Sequence, residues 1–265
     1  MTVGVLFVRH QRRLKTPLID VELFSNKVFS GAVLANFVAI FALMGVLFFF
    51  SQYLQLVRGL RPLAAGLVEM PTMVASILAV AVVGVLVARL GTGRAVAAGL
   101  LLASLGLLFA AVAEGADHTL WLAAALIPLR LGIGVAMTLT VDAVVSAMPS
   151  ERAGAASAIS ETAFELGGAL GIALLGPTVT LVYRGSLDLP TDLSGAARAA
   201  VEDSLATAVN AVRDATGVLE AARHAFTTAM QFTSAAAIAM IAALIAWYTI
   251  PSGRKSGTTT TQIAE

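Results

Sequence analysis

Long apolar stretches separated by short polar segments dominate the pattern of the chain. Six of them can cross a bilayer as helices, since a hydrocarbon core of about 30 Å requires about 20 apolar residues at 1.5 Å each. The first five fall within residues 29–182. The pattern therefore predicts an all-α membrane protein with six transmembrane helices, at residues 29–53, 64–88, 94–113, 119–147, 156–182 and 227–250.

The polar remainder divides into three parts. Residues 1–28 open with an apolar stretch too short to span, followed by a basic cluster, so we expect the tail of a preceding span and a cytoplasmic linker. Residues 183–226 carry apolar positions at helical spacing after Ser194, a favoured helix cap, which predicts an external helical hairpin. Residues 251–265 are polar and predict a disordered cytoplasmic tail.

Composition agrees with lipid as the solvent of this chain. Apolar residues make up 58% of the 265 positions and charged residues only 12%, whereas a soluble domain carries about 25% charged residues. The absence of cysteine excludes disulfides and thiol chemistry. The net charge of +1 argues against a nucleic-acid partner and leaves the lipid bilayer as the expected one.

The distribution of lysine and arginine predicts the orientation. The short loops on one side of the membrane hold only Arg58 and Arg61, whereas the side that carries both termini holds ten basic residues. These are Arg9, Arg12, Arg13, Lys15, Lys27, Arg89, Arg94, Arg152, Arg254 and Lys255. Because short basic loops stay in the cytoplasm, both termini are predicted to be cytoplasmic in a multi-pass protein of the plasma (inner) membrane.

Glu161 and Glu165 are the main candidates for a functional site, because a carboxylate inside a span is costly and is usually retained for function. A spacing of four places both on one helix face, with Cβ atoms about 6 Å apart. In a water-poor cavity two such carboxylates resist double ionisation and share a proton. Such a pair can hold a proton or an organic cation. The structural alternative is that Glu161 reaches the interface and Glu165 pairs with Arg130.

Three further ionisable residues lie within the spans. Glu69 provides a second anionic contact in the pathway or extends to the outer headgroups. Arg130 cannot carry a proton, since guanidinium does not deprotonate, and is expected to be the charge partner of a glutamate. Asp142 lies near the cytoplasmic end of its span, where we expect a structural salt bridge to Arg89, Arg94 or Arg152.

Glycines at helical spacing predict close helix contacts in the fourth and fifth spans. The positions are Gly132, Gly134, Gly167, Gly168, Gly171 and Gly176.

Nothing in the chain indicates an enzyme or a metal site. All three histidines, His10, His118 and His224, fall outside the predicted spans. The chain has no HExxH motif and no serine in a nucleophile-elbow context.

Four stretches resemble a known family, the fourteen-span drug:proton antiporters of the major facilitator superfamily. The most specific, PSERAGAASAISETAFELGGALGIALLG at 149–176, is similar to the thirteenth span of exporters of quaternary ammonium compounds and methyl viologen. PLIDVELFSNKVF at 17–29 resembles the entry to the ninth span, and YLQLVRGLRPLAAGLVEMP at 53–71 resembles the start of the tenth. GVLVARLGTGR at 84–94 resembles the signature loop of the superfamily, with Ala88 in place of its usual aspartate.

The resemblance implies the C-terminal half of a multidrug exporter that exchanges lipophilic or quaternary cations for protons, driven by the proton gradient without a cofactor. It implies that Glu69, Glu161 and Glu165 match acidic positions associated with cation recognition and proton coupling. The expected partner is a missing N-terminal half or a second copy of the chain, because alternating access moves one half against the other. A nontransporting scaffold or regulator, or an inactive gene fragment, is the alternative.

Overall fold

A computed structural model of the chain describes residues 21–115, 118–191, 193–212 and 215–249. Most of the predicted linker and the whole predicted tail, residues 251–265, lie outside this part. Within it, helices follow one another without a strand. They are α1 (Lys27–Gln52), α2 (Pro62–Glu69), α3 (Pro71–Leu90), α4 (Thr92–Glu114), α5 (Thr119–Ser146), α6 (Ala153–Gly185), α7 (Gly195–Asp203), α8 (Leu205–Ala211) and α9 (Thr216–Thr249). A π-helical turn, Tyr53–Val57, extends α1, and short 3-10 turns occupy Val21–Ser25 and Ser150–Arg152.

Six segments of the described part are long and apolar enough to cross a membrane, which confirms the predicted number of spans. They are Lys27–Val57, Pro62–Leu90, Thr92–Glu114, Thr119–Ser146, Ala153–Gly185 and Gly217–Ile245. Each lies over the corresponding predicted stretch. The all-helical membrane fold expected from the sequence is therefore confirmed.

Prolines affect the spans in two different ways. Pro71 divides the second span into α2 and α3, because it cannot donate to the carbonyl of Leu67, which instead accepts from the backbone N–H of Met70 at 3.3 Å. Pro128 and Pro177 lie inside continuous helices, α5 and α6. The second span is thus interrupted one residue after Glu69, which places this carboxylate at a helix end.

α1 and α5 lie at the centre of the bundle. α1 packs against α5, α6 and α9, whereas α5 packs mainly against α3 and α4. Without a hydrophobic force between helices in lipid, close packing of small residues has to supply much of the association energy. The α4–α5 contact shows this, because a Cβ added at Gly106 or Gly132 would meet the backbone of Leu129 or Ala103 at 3.0 Å or less.

The α1–α6 contact also depends on glycine. A Cβ at Gly167 would lie 2.8 Å from the carbonyl oxygen of Phe37, and one at Gly171 would meet the carbonyl of Phe41 at 3.1 Å or less. By contrast, Gly168 and Gly176 make only ordinary side-chain contacts. The predicted glycine pattern therefore contains both contact-forming and unconstrained positions.

The segment between the last two spans is shorter than predicted, since α6 continues to Gly185 and α9 begins at Thr216. The stretch with helical spacing after Ser194 is divided at Ser204 into α7 and α8. This residue is extended (φ −165°, ψ 160°) and caps α8 through a reciprocal capping box with Thr207. The apolar face packs onto the bundle: Tyr183, at the end of α6, donates a hydrogen bond of 2.8 Å to the carbonyl of Val201.

The α4–α5 contact yields a stability prediction. Replacing Gly132 by Ala forces the two backbones apart, so we expect a loss of about 1–3 kcal/mol of stability and a lower melting temperature in detergent. Gly84→Ala on α3 is the matched control, because nothing lies within 4 Å of its added Cβ. Equal melting temperatures for the two variants would contradict the assigned packing.

Candidate functional site

The candidate acidic residues lie on the two spans that the bundle leaves most exposed. Only 11% of the most apolar stretch is buried in the span Pro62–Leu90, and 28% in Ala153–Gly185, against 39–67% in the other four. Glu69 belongs to the first of these spans, and Glu161 and Glu165 belong to the second. All three carboxylates therefore belong to the least enclosed spans of the described bundle.

Glycine packing determines where Glu161 and Glu165 point. The buried stripe of α6, which includes Ser160, Gly167 and Gly171, faces α1. At about 100° per residue, Glu161 and Glu165 lie about 100–140° around the helix from this stripe. Both side chains are exposed. The close α1–α6 contact thus turns the acidic pair away from the bundle.

The pair occupies one exposed face, as its spacing predicts, but the described residues do not enclose it. Neither carboxylate has a hydrogen bond or ion pair with a residue that the structure describes. The alternative pairing of Glu165 with Arg130 is not formed there either. The expected water-poor cavity is therefore not built by this bundle alone, because the side of α6 that carries the pair has no neighbouring helix.

A polar contact between α1 and α6 lies next to this pair. Asn36 donates a hydrogen bond of 3.4 Å from Nδ2 to Oγ of Ser160, and both residues are buried. Oδ1 of Asn36 has no hydrogen-bond partner among the described residues. Sequence reasoning missed Asn36, although an amide inside an apolar stretch is a usable signal for a helix–helix contact.

Glu69 and Arg130 form the charge pair of the site. Each is the charged group that acts electrostatically on the other, from α2 and α5, and both are half-buried. No ion pair joins them directly in the described part of the chain, and Oε1 of Glu69 and Nε of Arg130 are buried without hydrogen-bond partners. The two charges thus interact without forming a direct ion pair.

Asp142 does not form the expected salt bridge. Its side chain is exposed near the end of α5, and no ion pair joins it to a described residue. The expected bridge to Arg89, Arg94 or Arg152 is therefore not formed among the described residues.

Glu114 is a further acidic residue that sequence reasoning missed. It is the last residue of α4, one position beyond the predicted span, and only 3% of its surface is exposed. A carboxylate just past an apolar stretch is usually solvated, so the sequence offered no signal for its burial. His224, by comparison, is exposed on α9. No group of three or more metal-ligating side chains occurs among the residues the structure describes.

The Glu69–Arg130 pair yields a prediction for a double-mutant cycle. Glu69→Gln and Arg130→Gln each leave the other charge uncompensated in low-dielectric surroundings, so each lowers the melting temperature. The double variant should recover part of the loss, with a coupling of about 0.5–3 kcal/mol. Glu165→Gln with Arg130→Gln is the matched control and should be additive. Additive losses for Glu69 and Arg130 would rule out their interaction.

Comparison with known proteins identifies what this bundle is similar to. The family model described as Major Facilitator Superfamily matches residues 5–172. The chain is 38% identical to the "Multidrug efflux pump LfrA" of Mycolicibacterium smegmatis, over 92% of this chain and 49% of that protein. It is 33% identical to the "Methyl viologen resistance protein SmvA" of Salmonella typhimurium, over 94% of this chain and 52% of that protein.

A relative of lower identity is also named as a resistance and export protein. The chain is 30% identical to the "Tetracenomycin C resistance and export protein" of Streptomyces glaucescens, over 92% of this chain and 48% of that protein. The chain thus spans about half the length of these curated relatives. Their names describe efflux, resistance and export, in agreement with the expectation that the chain is not an enzyme. With six spans in one helical bundle and a family match over most of its length, the chain belongs to the Major Facilitator Superfamily.

Proposed function

We propose that this chain supplies the C-terminal six-helix half of a plasma-membrane exporter that exchanges lipophilic or quaternary cations for protons. The observation that carries the proposal is the exposed pair Glu161 and Glu165 on a sparsely packed span. The relatives named as efflux and resistance proteins support the transport part. A scaffold or inactive fragment is not favoured by any feature of the chain.

The surroundings of the acidic pair support a facing surface. The same side of α6 exposes apolar residues, including Ala169 and Ile172, within about three turns of Glu161 and Glu165. Two carboxylates cannot face hydrocarbon without a cost of several kcal/mol. A second half-bundle resolves this, because it buries the apolar residues and encloses a polar cleft around the acids. The front half of a longer protein is therefore the proposed partner.

The proposed mechanism follows from mutual exclusion at the pair. Once enclosed, the two carboxylates hold one proton or one organic cation comfortably, because a second negative charge nearby is unfavourable in low dielectric. Proton binding at the pair expels the cation, and loss of the proton restores its site. Rocking of the two halves then exposes the pair to each side of the membrane in turn. The proton gradient supplies the energy, so no cofactor is required.

Glu69 and Arg130 have a different proposed role. Arg130 remains charged throughout, since guanidinium does not lose its proton. It offsets the charge of Glu69 when no substrate is present. A bound cation near Glu69 competes with Arg130 for the carboxylate, which makes this pair a sensor of occupancy rather than a proton carrier.

Orientation is part of the proposal. The loop between α3 and α4 carries Arg89 and Arg94, whereas the short turn after α1 carries Arg58 and Arg61. With the ten basic residues on the side of the termini, both ends of the chain are cytoplasmic in this proposal. The α7–α8 hairpin is then external.

Transport by paired halves tests the proposal. The chain is co-expressed with the front half of the mycobacterial relative in bacteria that lack their own cation pumps. We expect efflux of tetraphenylphosphonium that stops when a protonophore collapses the gradient. Glu165→Gln should reduce efflux to background, because a single remaining carboxylate no longer excludes proton and cation from each other. Glu220→Gln, an exposed acid at the start of α9, is the matched control and should retain efflux.

Each other outcome of this experiment has a defined meaning. Efflux by the chain expressed alone would indicate self-assembly rather than a front half as partner. If both halves accumulate in the membrane and copurify but export none of a panel of organic cations, the exporter proposal is wrong. Full efflux by the Glu165→Gln variant would remove the assigned role from the acidic pair.

A further inference from the structure

Glu114 is a buried carboxyl that the proposed transport site does not use. It ends α4 on the predicted external side of the bundle, and only 3% of its surface is exposed. Both carboxyl oxygens are buried, and neither has a hydrogen-bond partner among the residues that the structure describes. Among the acids in the described spans, Glu161 and Glu165 are exposed and Glu69 has Arg130 as its countercharge. The carboxyl of Glu114 is therefore neither exposed to solvent nor hydrogen-bonded to a described residue.

The backbone of Glu114, in contrast, is tightly held. The phenol of Tyr53 and Nη2 of Arg58 both donate to its carbonyl oxygen, Arg58 at 3.3 Å. Nε of Arg58 also donates to the Tyr53 hydroxyl at 3.1 Å, and the guanidinium carbon lies 5.5 Å from the Tyr53 ring centroid. We call Tyr53, Arg58 and the Glu114 carbonyl the external clasp. It joins the end of α4 to the end of α1 without bonding the carboxyl.

The other neighbouring elements also leave the carboxyl without a bond. On α9, Gln231 donates to the carbonyl of Ala111 at 3.0 Å, and Arg223 donates to the carbonyl of Leu56 at 3.3 Å. His118, just before α5, is exposed. In the described part of the chain, the charged and titratable side chains near the end of α4 are therefore Tyr53, Arg58, Arg223 and His118. The hydrogen bonds that the structure gives for Arg58 and Arg223 within this part go to the Tyr53 hydroxyl and to backbone carbonyls, and the carboxyl oxygens of Glu114 accept none.

An ionised carboxylate in this position would be very unfavourable. Removing a charge from water without hydrogen bonds or a countercharge costs many kcal/mol, and such a group becomes neutral instead. The neutral acid is far cheaper to bury, because it carries no net charge. While the clasp is closed, burial therefore favours the protonated carboxyl over the carboxylate.

We propose that Glu114 is a proton-binding site at the external end of the bundle. The carboxyl holds its proton while the clasp is closed. When the clasp opens, the O–H bond breaks, the proton passes to water, and the carboxylate that remains is solvated. The reverse step takes a proton from external water and lets the clasp close again. This site is separate from Glu161 and Glu165 and does not depend on their proposed role.

Infrared difference spectroscopy of the whole chain reconstituted in lipid tests this assignment. Subtracting the spectrum of Glu114→Gln from that of the unchanged chain at neutral pH should reveal the carbonyl stretch of a protonated carboxylic acid. The same subtraction with Glu220→Gln, an exposed acid, should show carboxylate bands and no acid band. Carboxylate bands in the Glu114 difference spectrum would overturn the proposal.

A second variant tests the link to the clasp. Tyr53→Phe removes the hydroxyl that donates to the Glu114 carbonyl and accepts from Arg58. Water then reaches the carboxyl more easily, so the acid band should disappear at a lower pH than in the unchanged chain. An identical titration in both proteins would show that the clasp does not control proton release.

Chemical labelling of the unchanged chain keeps the proposal testable if Glu114→Gln does not fold. Dicyclohexylcarbodiimide reacts with protonated carboxyls in apolar surroundings, so mass spectrometry should locate its adduct at Glu114. A water-soluble carbodiimide should modify the exposed Glu220 and leave Glu114 unmodified. Failure of the apolar reagent to label Glu114 would overturn the proposal. Because neither measurement involves transport, the result is independent of the outcome for the exporter.

Discussion

The cost of placing a carboxylate in low-dielectric surroundings is the constraint on which the rest of this molecule depends. The chain meets it in three ways. Glu69 has the positive charge of Arg130 near it. The carboxyl of Glu114 is buried and has no hydrogen-bond partner among the described residues. Glu161 and Glu165 lie together on an exposed helix face. Each arrangement implies a different chemistry. A fixed countercharge stabilises an ion, a dry pocket favours a bound proton, and an open pair requires another surface to become a site.

Glycine packing determines the arrangement of the acidic pair on α6. The contacts of Gly167 and Gly171 with the backbone of α1 fix the rotation of α6, and with it the direction of Glu161 and Glu165. A rotation of α6 by one residue, about 100°, would turn Glu161 or Glu165 toward the buried stripe. Small residues at a helix contact therefore control the electrostatics of the opposite helix face, although they carry no charge themselves.

Much of the architecture could be predicted from the sequence because lipid restricts the choice. A span must be a helix of a minimum length, so six apolar stretches implied six helices. Spacing alone placed Glu161 and Glu165 on one face. Helix ends were less predictable: Pro71 interrupts its span, whereas Pro128 and Pro177 do not. Whether a proline ends a helix depends on the backbone geometry around the freed carbonyl, which the sequence pattern does not report.

The site was less predictable for the same reason. Glu114 lies one residue past an apolar stretch, where solvation is the ordinary expectation, yet it is buried, and its backbone carbonyl accepts from Tyr53, 61 positions earlier. Asp142 had three arginines within plausible reach in sequence and contacts none of them that the structure describes. Composition and period report local preference, whereas burial of a charge depends on which elements meet in three dimensions.

The positions of the acids separate two kinds of motion. Glu114 lies within the half-bundle, at a contact between α4 and the end of α1, so its exposure to water depends on movement inside this half. Glu161 and Glu165 lie on an exposed face of α6, so in the proposed exporter their exposure depends on movement of this half against the facing half. A proton at one location therefore reports a different conformational change from a proton at the other. Because burial of a charge and opening of the structure are thermodynamically linked, each proton site biases the motion that exposes it. In the proposed exporter, a bundle with both kinds of site therefore responds separately to closure of the clasp and to closure against the facing half.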